Sequence, residues 1–78
     1  MDEKGLVELI VTHLVDHPKE VSLSCIQGEK SDILELRVHP SDVGKVIGKG
    51  GRIVTAIRSL LHAMSRKAQK RVMLEVIE

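Results

Sequence analysis

The chain has no phenylalanine, tyrosine or tryptophan, one cysteine, two prolines and no long apolar run. Each shortage excludes something. Without aromatic rings, the chain lacks the stacking surface on which RNA-recognition motifs, cold-shock domains and many OB-folds hold bases. Its core must come from Val, Ile, Leu, Met and Ala. A lone Cys25 cannot staple a small secreted domain, so a reducing compartment is expected. The N-terminus Met1-Asp2-Glu3-Lys4-Gly5 opens acidic, with no basic segment before a long apolar one, unlike a signal peptide. Leu6 to Val15, the most apolar-rich stretch, is too short and too polar to span a bilayer. The expectation is a cytoplasmic protein with no membrane contact. No nucleophile–base pair, metal cluster or nucleotide-hydrolysis motif is found, so neither an enzyme nor a cofactor is expected.

What is present is a globular composition in a short chain. Seventy-eight residues, 42% of them apolar, fit one domain over residues 1–78. A chain of this size buries only about 60% of its unfolded surface, so its stability is modest. Charge is divided unevenly. Residues 1–42 hold four bases against nine acids, and residues 43–78 hold eight bases against Glu75 and Glu78. A polyanion would be drawn to the second half and repelled by the first.

Hydrophobic periodicity gives the element order α-β-β-α-α-β. Leu6, Ile10 and Leu14, with Val7 and Val11 beside them, predict a helix over about 3–16, ended by His17-Pro18. Val21, Leu23 and Cys25 alternate with serines, and Leu34, Leu36 and Val38 alternate with Glu35 and Arg37. Joined by the polar turn Gly28 to Asp32, they predict a hairpin with one buried face. Pro40-Ser41-Asp42 breaks the strand and offers a helix N-cap. A short helix is expected over about 42–47, with Val43, Val46 and Ile47 inward. A longer one follows over about 51–66, with the stripe Ile53, Ile57, Leu60, Leu61 and Met64. Val72, Leu74 and Val76 alternate in a last strand. Three strands offering one face to three helices make a two-layer α+β fold.

Residues 43–55, VGKVIGKGGRIVT, carry Gly44, Gly48, Gly50 and Gly51 among Lys45, Lys49 and Arg52. The stretch is not a P-loop. Only three residues separate Gly44 from Gly48, and Gly50 follows Lys49 where a serine or threonine is needed. It is not a dinucleotide fingerprint, because Ile53 stands where the third glycine belongs and the stretch follows a helix. It is G-x-x-G between two helices. Such a turn uses backbone angles that glycine accepts cheaply, and without a Cβ the main chain can touch a sugar-phosphate. The helix that follows presents unpaired amides and a partial positive charge.

The run V-I-G-K-G-G-R-I-V-T-A-I, Val46 to Ile57, resembles the core of the KH domain, an RNA-binding module. The element order is similar to the bacterial, type II arrangement, with the GxxG loop between the second and third helices. One such domain and nothing more resembles the small stand-alone bacterial KH-domain RNA-binding proteins of the KhpA type. That resemblance implies a loop clamping about four nucleotides of single-stranded RNA. It implies contacts from Gly44, Lys45, Ile47, Gly48, Lys49, Gly50, Gly51, Arg52 and Ile53. Val43 would lie in or under the groove, and the second strand, with Arg37, Val38 and His39, would form its far wall. It further implies post-transcriptional regulation or RNA chaperoning, and a homodimer or pairing with a second, larger KH-containing RNA-binding protein. Without stacking rings, single-site binding should be weak, micromolar or poorer, and no residue obviously selects RNA over single-stranded DNA.

The remaining candidates have plainer readings. Arg58, Arg66, Lys67, Lys70 and Arg71 read as solvated surface that widens the positive field. His13 and His17 have a metal-pair spacing on a helix, but no further ligand completes a site. Cys25 reads as core, and His62 as solvated or part of a subunit contact. The competing function is a protein-interaction module, suggested by Leu61, Ala63 and Met64 near the end of the long helix.

Overall fold

The structure, a computed structural model, describes residues 2–68 and 70–78, apart from the side chains of Lys67 and Ala68. Lys67, read above as surface, therefore lies outside the side chains described. The order is α1 (Glu3–Leu14), β1 (Ser22–Gln27), β2 (Ser31–Arg37), α2 (Val43–Ile47), α3 (Arg52–Ala68) and β3 (Arg71–Val76). Short 3-10 turns fill Pro18–Glu20, Pro40–Asp42 and Lys49–Gly51. The fold is the expected two-layer α+β arrangement of the type II KH kind.

The sheet runs β1-β2-β3. β1 and β2 are antiparallel, with Leu23 opposite Leu36 and Cys25 opposite Leu34. β2 and β3 are parallel, with Leu34 opposite Leu74 and Leu36 opposite Val76. Period-2 alternation puts Leu34, Leu36, Leu74 and their neighbours on the helix side. Arg37, Glu35, Ile33, Met73 and Ile26 point the other way. A parallel pair needs a crossover, and the segment from α2 through α3 supplies it.

The core is built from Val7, Val11, Val15, Leu34, Leu36, Val46, Val54, Ile57, Leu61 and Leu74. Two helical stripes are rotated from their expected positions. On α1, Val7, Val11 and Val15 are buried while Leu14 is exposed. On α3, Val54, Ile57 and Leu61 are buried while Leu60 is 48% exposed. Both helices carry two adjacent apolar stripes, so periodicity alone does not choose between them. Packing in the folded chain chooses between them. Cys25 is also exposed rather than buried. It has the inward parity, but β1 is an edge strand and Cys25 borders an open cleft shared with Asp2, Glu3 and Lys4 at the start of α1.

Asp42 fixes the junction between the elements. It stands at the N-cap position of α2 but makes no side-chain cap bond there. Instead it is fully buried, and its carboxylate accepts the backbone N–H of His17 at 2.9 Å and of Asp16 at 3.3 Å. It also accepts from the His17 ring, Nδ1 to Oδ2 at 3.0 Å. These bonds hold the segment after α1 in a turn. The helix consequently ends at Leu14, with Val15 extended, before Pro18 could end it. Five residues are too few for a helix to stand alone. Burial of Val46, about 1.5–3 kcal/mol relative to exposure, and this junction hold α2 in place.

Burial pushes the Asp42 carboxyl up, but the hydrogen bonds from the His17 ring and the two amides, with the His17 charge, outweigh it. The group is held at about 2, below the ordinary 3.8. The unfolded chain therefore takes up the proton first as pH falls. The stabilisation is complete above about pH 4 and is lost as pH drops towards 2. In an acid titration followed by circular dichroism, Asp42→Asn should be less stable at neutral pH and show a flatter acid limb. Parallel acid limbs in the two proteins would rule out Asp42 as the titrating group.

Candidate nucleic-acid interface

The turn between α2 and α3 is set by its glycines. α2 closes with the Gly48 N–H donating to the Gly44 carbonyl at 2.9 Å, and Gly51 N–H then donates to Gly48 O at 3.0 Å. Gly48 has φ 77° and ψ 168°, a region open almost only to glycine. A Cβ there would stand 2.7 Å from Ile53 Cγ1 and 3.0 Å from the Ile53 nitrogen. Gly50, at φ 65° and ψ 18°, is left-handed with open space where a Cβ would be. Gly51 also has positive φ. Gly44 lies in regular helix and also faces open space, so its backbone does not demand glycine.

Around this turn the predicted residues separate into groups. Gly48, Lys49, Gly50, Gly51, Arg52 and Ile53 come together at the start of α3, a helix long enough to carry a dipole at its N-terminus. Lys49 and Arg52 are exposed and make no ion pair among the described residues. Ile47 and Ile53 are half-buried and pack against the core from beneath the turn. Val43 is half-buried on α2.

Lys45 is placed differently. Its ammonium lies 3.3 Å from Asp16 and 3.5 Å from Asp42. The hydrogen bond to Asp16, then the attraction of both carboxylates, raises its pKa. Lys45 is firmly charged, but that charge is answered locally. The expected far wall also divides. Val38 packs against the core. His39 turns to α1's end, its ring stacked on His17 at 4.0 Å, with Nδ1 accepting the Ser41 N–H at 3.1 Å. Arg37 lies on the sheet face away from the helices, 3.9 Å from Glu35. The structure does not bring Arg37 to the turn.

Two of the supposed surface bases are engaged. Lys70 pairs with Asp32 at 2.8 Å. Arg58 crosses from α3 to β3 and donates both Nε (3.2 Å) and Nη2 (3.1 Å) to the Leu74 carbonyl. Nothing in the sequence around Arg58 signals this contact, because its partner lies sixteen residues further along the chain. The two histidines at metal-pair spacing have separate partners, His13 at the Leu9 carbonyl and His17 at Asp42.

The chain that forms this turn has relatives among known proteins. A family model described as KhpA/KhpB, KH domain, matches residues 4–76. The chain belongs to the KhpA/KhpB KH-domain family. It is 56% identical to the RNA-binding protein KhpA of Borreliella burgdorferi over 77 residues, covering 99% of this chain and 94% of that one. It is 51% identical to the KhpA of Aquifex aeolicus over 96% of this chain and 95% of the relative. The KhpA of Clostridium acetobutylicum is 54% identical over 95% of this chain and 99% of the relative. No solved structure gives a significant match. Among the described residues, no helix is long and apolar enough to cross a membrane.

Gly48 in the turn and Gly44 in α2 are not equally required to be glycine. Gly48→Ala should cost about 1–3 kcal/mol, a fall in melting temperature of several degrees or more. Gly44→Ala should leave stability unchanged or raise it, since alanine is the better helix former. Thermal unfolding of the two variants checks this, and equal melting temperatures would contradict the strain assigned to Gly48.

Proposed function

We propose that this protein binds single-stranded RNA through the GKGG turn, as one domain over residues 1–78. Gly48, Gly50 and Gly51 let the main chain meet a sugar-phosphate, and Lys49 and Arg52 supply free positive charge. The observation that carries this reading is their convergence: positive-φ glycines, two unpaired cations and the N-terminus of α3 at one spot. The RNA-binding names of the relatives support it. Lys45, held by Asp16 and Asp42, adds no free charge to the site, and Gly44 leaves the helix surface bare beside the groove. The half-buried Ile47, Ile53 and Val43 provide an apolar floor for bases. Binding is sequence-tolerant and weak at a single site, which suits RNA chaperoning or post-transcriptional regulation in the bacterial cytoplasm rather than catalysis.

Replacing Lys49 and Gly50 together by Asp spoils charge and approach at a position where a Cβ meets nothing. Crosslinking to single-stranded RNA should be lost while the circular dichroism spectrum is retained. The native chain should show log affinity falling against log salt with a slope of about −2, for about three phosphate contacts. Unchanged crosslinking in the double variant would defeat the reading through this turn.

A second role is favoured by one observation. Leu60 is 48% exposed on α3, with Ala56 and Ala63 exposed one turn to either side. That strip is a place for a second copy, or for a larger KH-containing RNA-binding protein, to pack. If so, Leu60→Glu should shift sedimentation towards monomer without loss of fold. A native chain that sediments as a monomer at all concentrations would remove the homodimer.

A further inference from the structure

We propose that Arg58 is a base-stacking residue, its guanidinium standing in for the aromatic ring that this chain lacks. The inference rests on the RNA reading of the GKGG turn and goes on to say what touches the bases. β3 is an edge strand. In a parallel pair, a residue's N–H and C=O point to the same side. Arg71 N–H and Ile77 N–H donate to β2, at Lys30 and Leu36. The odd residues of β3 therefore face β2, and Val72, Leu74 and Val76 direct their main-chain groups outward. Arg58 grips that open edge at its middle, at the Leu74 carbonyl.

This grip orders the side chain. An exposed arginine normally samples many rotamers, and ordering one on binding is costly. Here two donors on one carbonyl fix the guanidinium before any ligand arrives. Nη1 makes no hydrogen bond among the described residues, and the side chain is exposed. Guanidinium planes stack on nucleobases in single-stranded RNA recognition. The position also suits a base. On α3 Arg58 shares a stripe with Thr55, whose Oγ1 stands 3.9 Å from where a Cβ on Gly51 would be, and it lies six residues beyond Arg52, about 9 Å along the helix axis. A run of nucleotides held by its backbone at the turn passes along this stripe. Arg58 is then a contact to a base, not one more phosphate-seeking cation.

The two roles predict different responses. A phosphate contact needs only charge, which lysine supplies. A stacked, two-point-anchored plane needs arginine. The test compares two single-stranded octaribonucleotides: octa-adenylate, and the same sugar-phosphate backbone with every base removed. The native protein should prefer octa-adenylate. Arg58→Lys should lower that preference roughly three- to tenfold, leave affinity for the abasic backbone unchanged, and keep the salt slope. Equal preference in native and variant proteins, or a loss shared equally by both ligands, would overturn the proposal. If the native protein binds neither ligand, the RNA reading itself fails; if it binds both equally, only the stacking role fails. Should Arg58→Lys not fold, the native protein still decides. Its Arg58 Nε–H resonance should shift under octa-adenylate and stay in place under the abasic backbone. A shift of equal size with both ligands, or with neither, would refute stacking.

Discussion

The Asp42 carboxylate gathers donors from two segments of the chain while having no exposed surface. The amides of Asp16 and His17 reach it from the end of α1, the His17 ring from the same segment, and the Lys45 ammonium from α2. A buried charge without such partners would be strongly destabilising. With them it becomes a pin. It ends α1 early, starts α2 at a fixed place and aligns both over the sheet. Only the five residues of α2 separate the GKGG turn from Asp42, so its position is inherited from this junction. The imidazoles of His17 and His39 stack beside the pin, which ties the end of β2 to it as well.

The uneven charge along the sequence has a structural sense. The acidic first half does not merely avoid a polyanion. Asp16 and Asp42 hold Lys45, and Asp32 holds Lys70. Bases at those places are answered by acids from residues 1–42, whereas Lys49 and Arg52 are left without partners among the described residues. The free positive field is therefore narrower than the count of basic residues suggests. It centres on the start of α3, where the helix dipole and the glycine backbone add to it.

Much of the fold was legible in the sequence because strands and long helices announce themselves by period. The parities of β1, β2 and β3 follow directly from alternation, and the GKGG turn from its spacing between two helices. The errors have specific causes. Leu14 and Leu60 were expected inside because leucine and valine score alike in a stripe, and only packing against the sheet decides between neighbours. Cys25 has the right parity but faces an open cleft at the start of α1. Arg37 was expected beside the groove from its place at the end of β2, yet side-chain alternation sends it to the opposite face. Arg58 was read as solvated because nothing local distinguishes it from Arg66. Its partner, the Leu74 carbonyl, is sixteen residues away in sequence and becomes reachable only when β3 takes the edge.

By itself, the sequence determined the elements, the identity of the turn and the residues at its tip, since all of these depend on local backbone preference and on periodicities within a few residues. Tertiary structure decided which cations are free, which stripe of each helix is buried, and that β3 has an open edge held by an arginine. Those outcomes depend on contacts between residues far apart in the chain, such as Asp42 with His17 and Arg58 with Leu74. No local pattern encodes them.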